Sequence, residues 1–162
     1  MRVIMDTFPQ LIEEDLQRLN KELKELLRKT DATIAAVIDF GGFLITSQGS
    51  ANDIDLTTIA ALSSGTYLAN QSIANLVNET NFSCVYQQGE KQSIFIVSVN
   101  EYGLLAIIFT NQSGVGIVKH YAAGAIRRIA EQLDIAHERD PNGGLNLSEI
   151  DLADPGDFFK KD

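Results

Sequence analysis

Gly114, Gly116 and Lys119 follow an apolar run and open a periodic segment, spelling G-x-G-x-x-K. A junction of strand to helix is where backbone N–H groups bind phosphate. A dinucleotide fingerprint needs a third glycine and a P-loop needs a different spacing, so this segment reads as a plain turn. His120 and His137 are the only histidines, and neither has a Cys or a second His at metal-ligand spacing. The stretch from Asp140 fails as a calcium loop, because Leu145 stands where the turn needs Gly and Asp151 where the bidentate Glu belongs. Cys84 has no sequence neighbour that would lower its pKa and reads as apolar packing. No serine sits in a nucleophile elbow. Glu13, Glu14 and Asp15 read as the solvated face of a first helix. No catalytic residue, metal ligand or cofactor site is expected, so the function to look for is recognition.

Composition narrows the partner. A chain of 162 residues suits one domain that buries about 70% of its unfolded surface. The net charge of −9 argues against nucleic acid, whose phosphates need a basic surface, and against adhesion to an anionic membrane. From Glu138 to Asp162 there are 7 acidic and 3 basic residues, which sets apart an acidic tail. No apolar run approaches the length of a membrane span and no signal-peptide pattern opens the chain, so a cytoplasmic protein is expected. The single Cys84 forms no intrachain disulfide, in keeping with a reducing compartment.

Periodicity supplies the elements. Pro9 suits a first helical turn, and Ile12, Leu16, Leu19, Leu23 and Leu26 share one face of a helix ending near Thr30. Ala32 to Phe40 is a nearly unbroken apolar run that reads as a central strand. Gly41-Gly42 turn it into a second strand, Phe43 to Gln48. Asp55 is a good N-cap, with Ile54 and Ile59 placed as a hydrophobic staple. Strands follow at Phe82 to Gln88, Ser93 to Val99 and Leu104 to Thr110, the last apolar on both faces. A final helix from about Val115 to His137 turns Val118, Ala122, Ala125, Ile129 and Leu133 inward. Helix, two strands, helix, three strands and helix give an α+β layered domain with an antiparallel sheet. The domain is expected over 1–139, with the acidic tail over 140–162 carrying Leu147, Ile150, Leu152, Phe158 and Phe159.

The helix from Asp55 to Asn78 carries two apolar stripes. Ile59, Leu62, Thr66, Ala69, Ile73 and Leu76 step by three and four residues, and this stripe is assigned to the core. Ala61, Gly65, Leu68 and Ser72 form a second stripe of mostly small residues, where Gly65 costs about 1 kcal/mol against alanine. The segment has no basic residue, and acids stand only near its ends, at Asp55 and, just beyond it, Glu79. The second face is expected to be covered, either by a partner or within the chain.

The element order, the hairpin Ile38-Asp39-Phe40-Gly41-Gly42-Phe43-Leu44-Ile45 and the helix segment Leu62-Ser63-Ser64-Gly65 resemble the roadblock (dynein light-chain) superfamily. Within it the chain is similar to the MglB-like bacterial polarity regulators, through Gln88-Gly89-Glu90, Ile107-Ile108-Phe109 before Gly116-Ile117-Val118, and the acidic tail ending in Phe158-Phe159. The resemblance implies an α/β/α roadblock-type domain. Its five-stranded antiparallel sheet has the order 2-1-5-4-3, with the long helix on one face and the terminal helices on the other. It also implies a homodimer joined through the third strand, with Phe82, Cys84 and Tyr86 at the edge, and through the long helices. A Ras-like small GTPase (MglA-like), one per dimer, would lie on Ala61, Gly65, Leu68 and Ser72 and have its GTP hydrolysis stimulated without an arginine finger, in control of cell polarity or motility. Such a protein is a GTPase-activating regulator, not an enzyme with its own active site, and would concentrate at a cell pole. The tail would dock through Leu152, Phe158 and Phe159 as a short helix, although Pro155-Gly156 interrupt it. Leu68 is bulkier than the small residue usual on the partner face. The rival reading is a roadblock-type scaffold that binds another polarity or cytoskeletal protein and leaves GTP turnover unchanged.

Overall fold

The computed structural model describes residues 8–50, 52–112 and 114–141. Its elements are α1 (Glu13–Lys29), β1 (Ala32–Asp39), β2 (Leu44–Gly49), α2 (Leu56–Leu76), β3 (Cys84–Gln88), β4 (Gln92–Ser98), β5 (Gly103–Thr110) and α3 (Val115–Arg139). The five strands form one antiparallel sheet in the order β2-β1-β5-β4-β3. The two apolar runs lie centrally because strands covered on both faces bury every side chain. Ile34 to Ile38 in β1 and Leu104 to Phe109 in β5 are all buried.

Alternation along these strands feeds two cores. Ala35, Val37, Phe95, Leu105, Ile107 and Phe109 pack with Leu19, Leu23 and Leu26 of α1 and with Val118, Ala122, Ala125, Ile129 and Leu133 of α3. Ala36, Ile38, Ile96, Leu104 and Ala106 face Ala60 and Tyr67 of α2 on the other side. The fold is therefore an α/β/α sandwich, with α2 alone on one face.

The two edges of the sheet differ. Along β2 the pairing passes from Val37 opposite Thr46 to Ile38 opposite Leu44, so Ile45 is an extra residue and the edge is bulged. Gly49 ends β2 at φ +85°, and a Cβ there would lie 2.0 Å from the Thr33 carbonyl oxygen. On the far side β3 is paired with β4 alone, its outer edge open among the described residues. This strand starts at Cys84, not at Phe82 as expected, and the Phe82 carbonyl instead accepts a hydrogen bond from Gln71 Nε2 at 2.9 Å.

The first helix also starts later than Pro9 suggests. Asp15 Oδ2 accepts the Ile12 N–H at 2.8 Å, which fixes the first turn at Glu13. Asp15 was expected on a solvated face; instead it is fully buried. It accepts hydrogen bonds from Gln132 Nε2 at 2.6 Å and from both Arg139 terminal nitrogens at 2.8 and 3.0 Å. Arg139, helped by the Ile12 N–H and Gln132, outweighs the desolvation of burial and lowers the Asp15 pKa to about 2. Glu13 and Glu14 are exposed as expected.

Candidate protein-interaction face

Asp55 caps α2 as its position suggests. Its carboxylate accepts the Thr58 N–H at 3.1 Å and the Thr58 hydroxyl at 2.5 Å. Those two bonds, the hydroxyl first, hold its pKa below the usual carboxylate value. Ile54 and Ile59 line one cleft of about 380 Å³ with Ile94 and Ile108, beneath the start of the helix.

The side of α2 that meets the sheet is not the stripe assigned to it. Ala60, Ser63, Ser64, Tyr67 and Ala74 are buried. Ser64 Oγ donates to the Phe40 carbonyl at 2.5 Å, which satisfies a hydroxyl in the interface. The Tyr67 ring lies 5.9 Å from that of Phe40. By contrast Leu62, Ile73 and Leu76, expected in the core, are 65%, 49% and 83% exposed. Ala69 is exposed too, and Ile59 and Thr66 are half-buried. The reason is geometric: the two predicted stripes are adjacent on the cylinder and merge into one outward face, opposite a seat of small and hydroxylated residues. Ala61, Gly65 and Ser72 are exposed on this face and Leu68 is half-buried beside them.

This outward face is broad, apolar and without formal charge. No charged residue occurs from Leu56 to Leu76. Among the described residues a Cβ on Gly65 would meet nothing within 4 Å, so close packing between them does not account for the glycine. Exposed apolar surface of this kind marks an interaction site. Phe43, at the tip of the β1–β2 hairpin, is 70% exposed and extends the surface. Reading the hairpin only as a turn missed it, although an aromatic directly after Gly41-Gly42 was a usable signal.

The remaining candidates have structural places. Cys84 and Tyr86 are half-buried and pack against the core on the α1/α3 side, and the Tyr86 ring stacks on Phe109 at 6.1 Å. Lys119 Nζ sits over the Phe95 ring at 5.8 Å, and Gly114 holds φ +76° at the entry to α3. His137 lies against Tyr102 and His120 against Tyr121, with ring centroids 5.3 and 5.0 Å apart. Among the described residues no three His, Cys, Asp or Glu side chains converge on a metal-sized site, and no helix is long and apolar enough to cross a membrane. Leu152, Phe158 and Phe159 lie outside the described residues.

Comparison with known proteins agrees with this architecture. A family model described as the Roadblock/LC7 domain matches residues 18–109. Gliding protein MglB from Thermus thermophilus is 28% identical, with a TM-score of 0.74, over 78% of this chain and 96% of its own. MglB from Myxococcus xanthus is 26% identical, with a TM-score of 0.72, over 78% and 96% of the two chains. An MglB with a tetrameric arrangement is 27% identical, with a TM-score of 0.75, over 79% and 96%. Among curated proteins none matches. The chain belongs to the Roadblock/LC7 domain family and is similar within it to MglB.

Proposed function

We propose that this protein is a homodimeric regulator that binds an MglA-like, Ras-type small GTPase, one per dimer, and stimulates its GTP hydrolysis. The observation that carries the reading is the outward face of α2, where Leu62, Ile73 and Leu76 stand exposed on a helix without a charged residue. A solvated helix normally carries charged residues there, so this face is made to be covered. The open edge of β3 suits joining to a second copy. Two α2 helices side by side then offer Ala61, Gly65, Leu68 and Ser72 as a shallow platform for switch loops.

Stimulation works by population shift: the platform holds a switch conformation in which the GTPase's own groups are in place for hydrolysis. Every arginine among the described residues lies on α1 or α3, across the sheet from α2. That arrangement supports activation without an arginine finger. The chain acts as a regulator and has no active site of its own. Residues 1–139 form the domain, and 140–162 a tail whose Leu152, Phe158 and Phe159 dock on the GTPase. Its place is the cytoplasm, concentrated at a cell pole, where it controls polarity or motility.

The test is GTP turnover by an MglA-like GTPase with and without this protein. Accelerated phosphate release supports the reading. Binding with unchanged turnover would make the protein a scaffold instead.

A further inference from the structure

Phe43 is held out by a rigid turn. Asp39 Oδ1 accepts the Phe43 N–H at 2.8 Å, the Asp39 N–H donates to the Phe43 carbonyl at 3.0 Å, and the Gly42 N–H donates to the Asp39 carbonyl at 3.0 Å. The turn itself is seated on α2. Gly42 adopts φ +89°, and a Cβ there would come within 3.0 Å of Ala61 Cα. Ser64 Oγ holds the Phe40 carbonyl from the next turn of the helix. Phe43 follows Gly42 as Leu62 follows Ala61, and both side chains are mostly exposed, at 70% and 65%. The uncharged face of α2 thus adjoins the hairpin that carries Phe43, with the Asp39 carboxylate at the base of the turn.

We infer that Phe43 anchors the GTPase on this face by inserting its ring into an apolar pocket of that partner, an inference that rests on the function proposed above. Aromatic side chains, Phe among them, are enriched at interfaces, where a few buried anchors carry most of the energy. The hydrogen-bonded turn already fixes the Phe43 backbone, so covering it orders only the side chain. The occupant we assign to Phe43 is the GTPase, and a second copy paired along β3 does not reach it through the sheet. The hairpin joins β1 to β2, and β2 is separated from β3 by four strand spacings. At about 4.8 Å each, that places it roughly 19 Å from the open edge. Two copies joined edge to edge through β3 keep the hairpin out of that strand seam.

The experiment compares wild-type protein, Phe43→Ala and Phe43→Leu. Each is titrated with an MglA-like GTPase loaded with a non-hydrolysable GTP analogue, at low and high salt, and each is weighed by light scattering. Phe43→Ala should raise Kd about tenfold with mass and melting temperature unchanged, and Phe43→Leu should recover part of the affinity. Unchanged affinity of Phe43→Ala for a GTPase that the wild type binds overturns the inference and leaves the proposed function standing. A fall in mass also overturns it, because Phe43 would then belong to self-association. Absence of wild-type binding at any salt removes the proposed function, and the inference falls with it.

Discussion

Arg139, the last residue of α3, closes a two-pronged ion pair on the buried carboxylate of Asp15 in the first turn of α1, across 124 residues of sequence. The depressed pKa of Asp15 links stability to pH. The carboxylate's contribution is complete above the ordinary value of 3.8 and is lost as pH falls from there towards 2. The expected loss over that window is about 2 kcal/mol. Arg139→Ala strands a buried charge and should destabilise by roughly 3 kcal/mol at neutral pH. Denaturant unfolding of wild type and mutant at several pH values checks both; identical acid profiles would remove the assignment.

Substitutions on α2 should separate its two sides. Ala60 is fully buried, so Ala60→Arg is expected to prevent folding. Leu62→Arg and Gly65→Arg place the charge in open surface, and each should shift stability by about 1 kcal/mol or less. Circular dichroism and thermal melting measure the contrast. In the turnover assay the two surface mutants should fold and fail to stimulate, since the charge meets the partner at a desolvated centre.

Gly49→Ala tests the close approach at the end of β2. The position combines φ +85° with a Thr33 carbonyl oxygen 2.0 Å from the new Cβ. Neither strain is relieved by side-chain rotation, so a loss of at least about 2 kcal/mol is expected from equilibrium unfolding. A neutral effect would mean that the strand end is free to move.

In solution the protein should weigh twice 17.8 kDa. Light scattering across a dilution series checks this. A monomer mass at every concentration would leave the β3 edge and the α2 face without the second copy proposed for them.

Much of the fold was legible because its signals are local. The unbroken apolar runs around Ala36 and Ile107 could be satisfied only by central strands, and the inward stripe of α3 from Val118 to Leu133 is entirely buried. The side assignment on α2 failed for a physical reason. Hydrophobicity marks the core only when the outer face is solvated, and here Leu62 and Leu76 point outward while Ser63 and Ser64 face the sheet. Asp15 was missed because its partners, Gln132 and Arg139, lie more than a hundred residues away. Nothing in the run Glu13-Glu14-Asp15 distinguishes the acid that is buried from the two that stay exposed.

The unlike edges of the sheet also bear on how large an assembly can become. Ile45 bulges the β2 edge, and α1 holds that strand through the Thr46 hydroxyl, which donates to Asn20 Oδ1 at 2.5 Å. A strand bent in this way is a poor template for another. If two copies join through β3, the combined sheet ends at both sides in a β2 strand and offers no third molecule a regular edge. Growth therefore terminates at two along the sheet direction, and the contact is a closed, two-fold one instead of the start of a fibre.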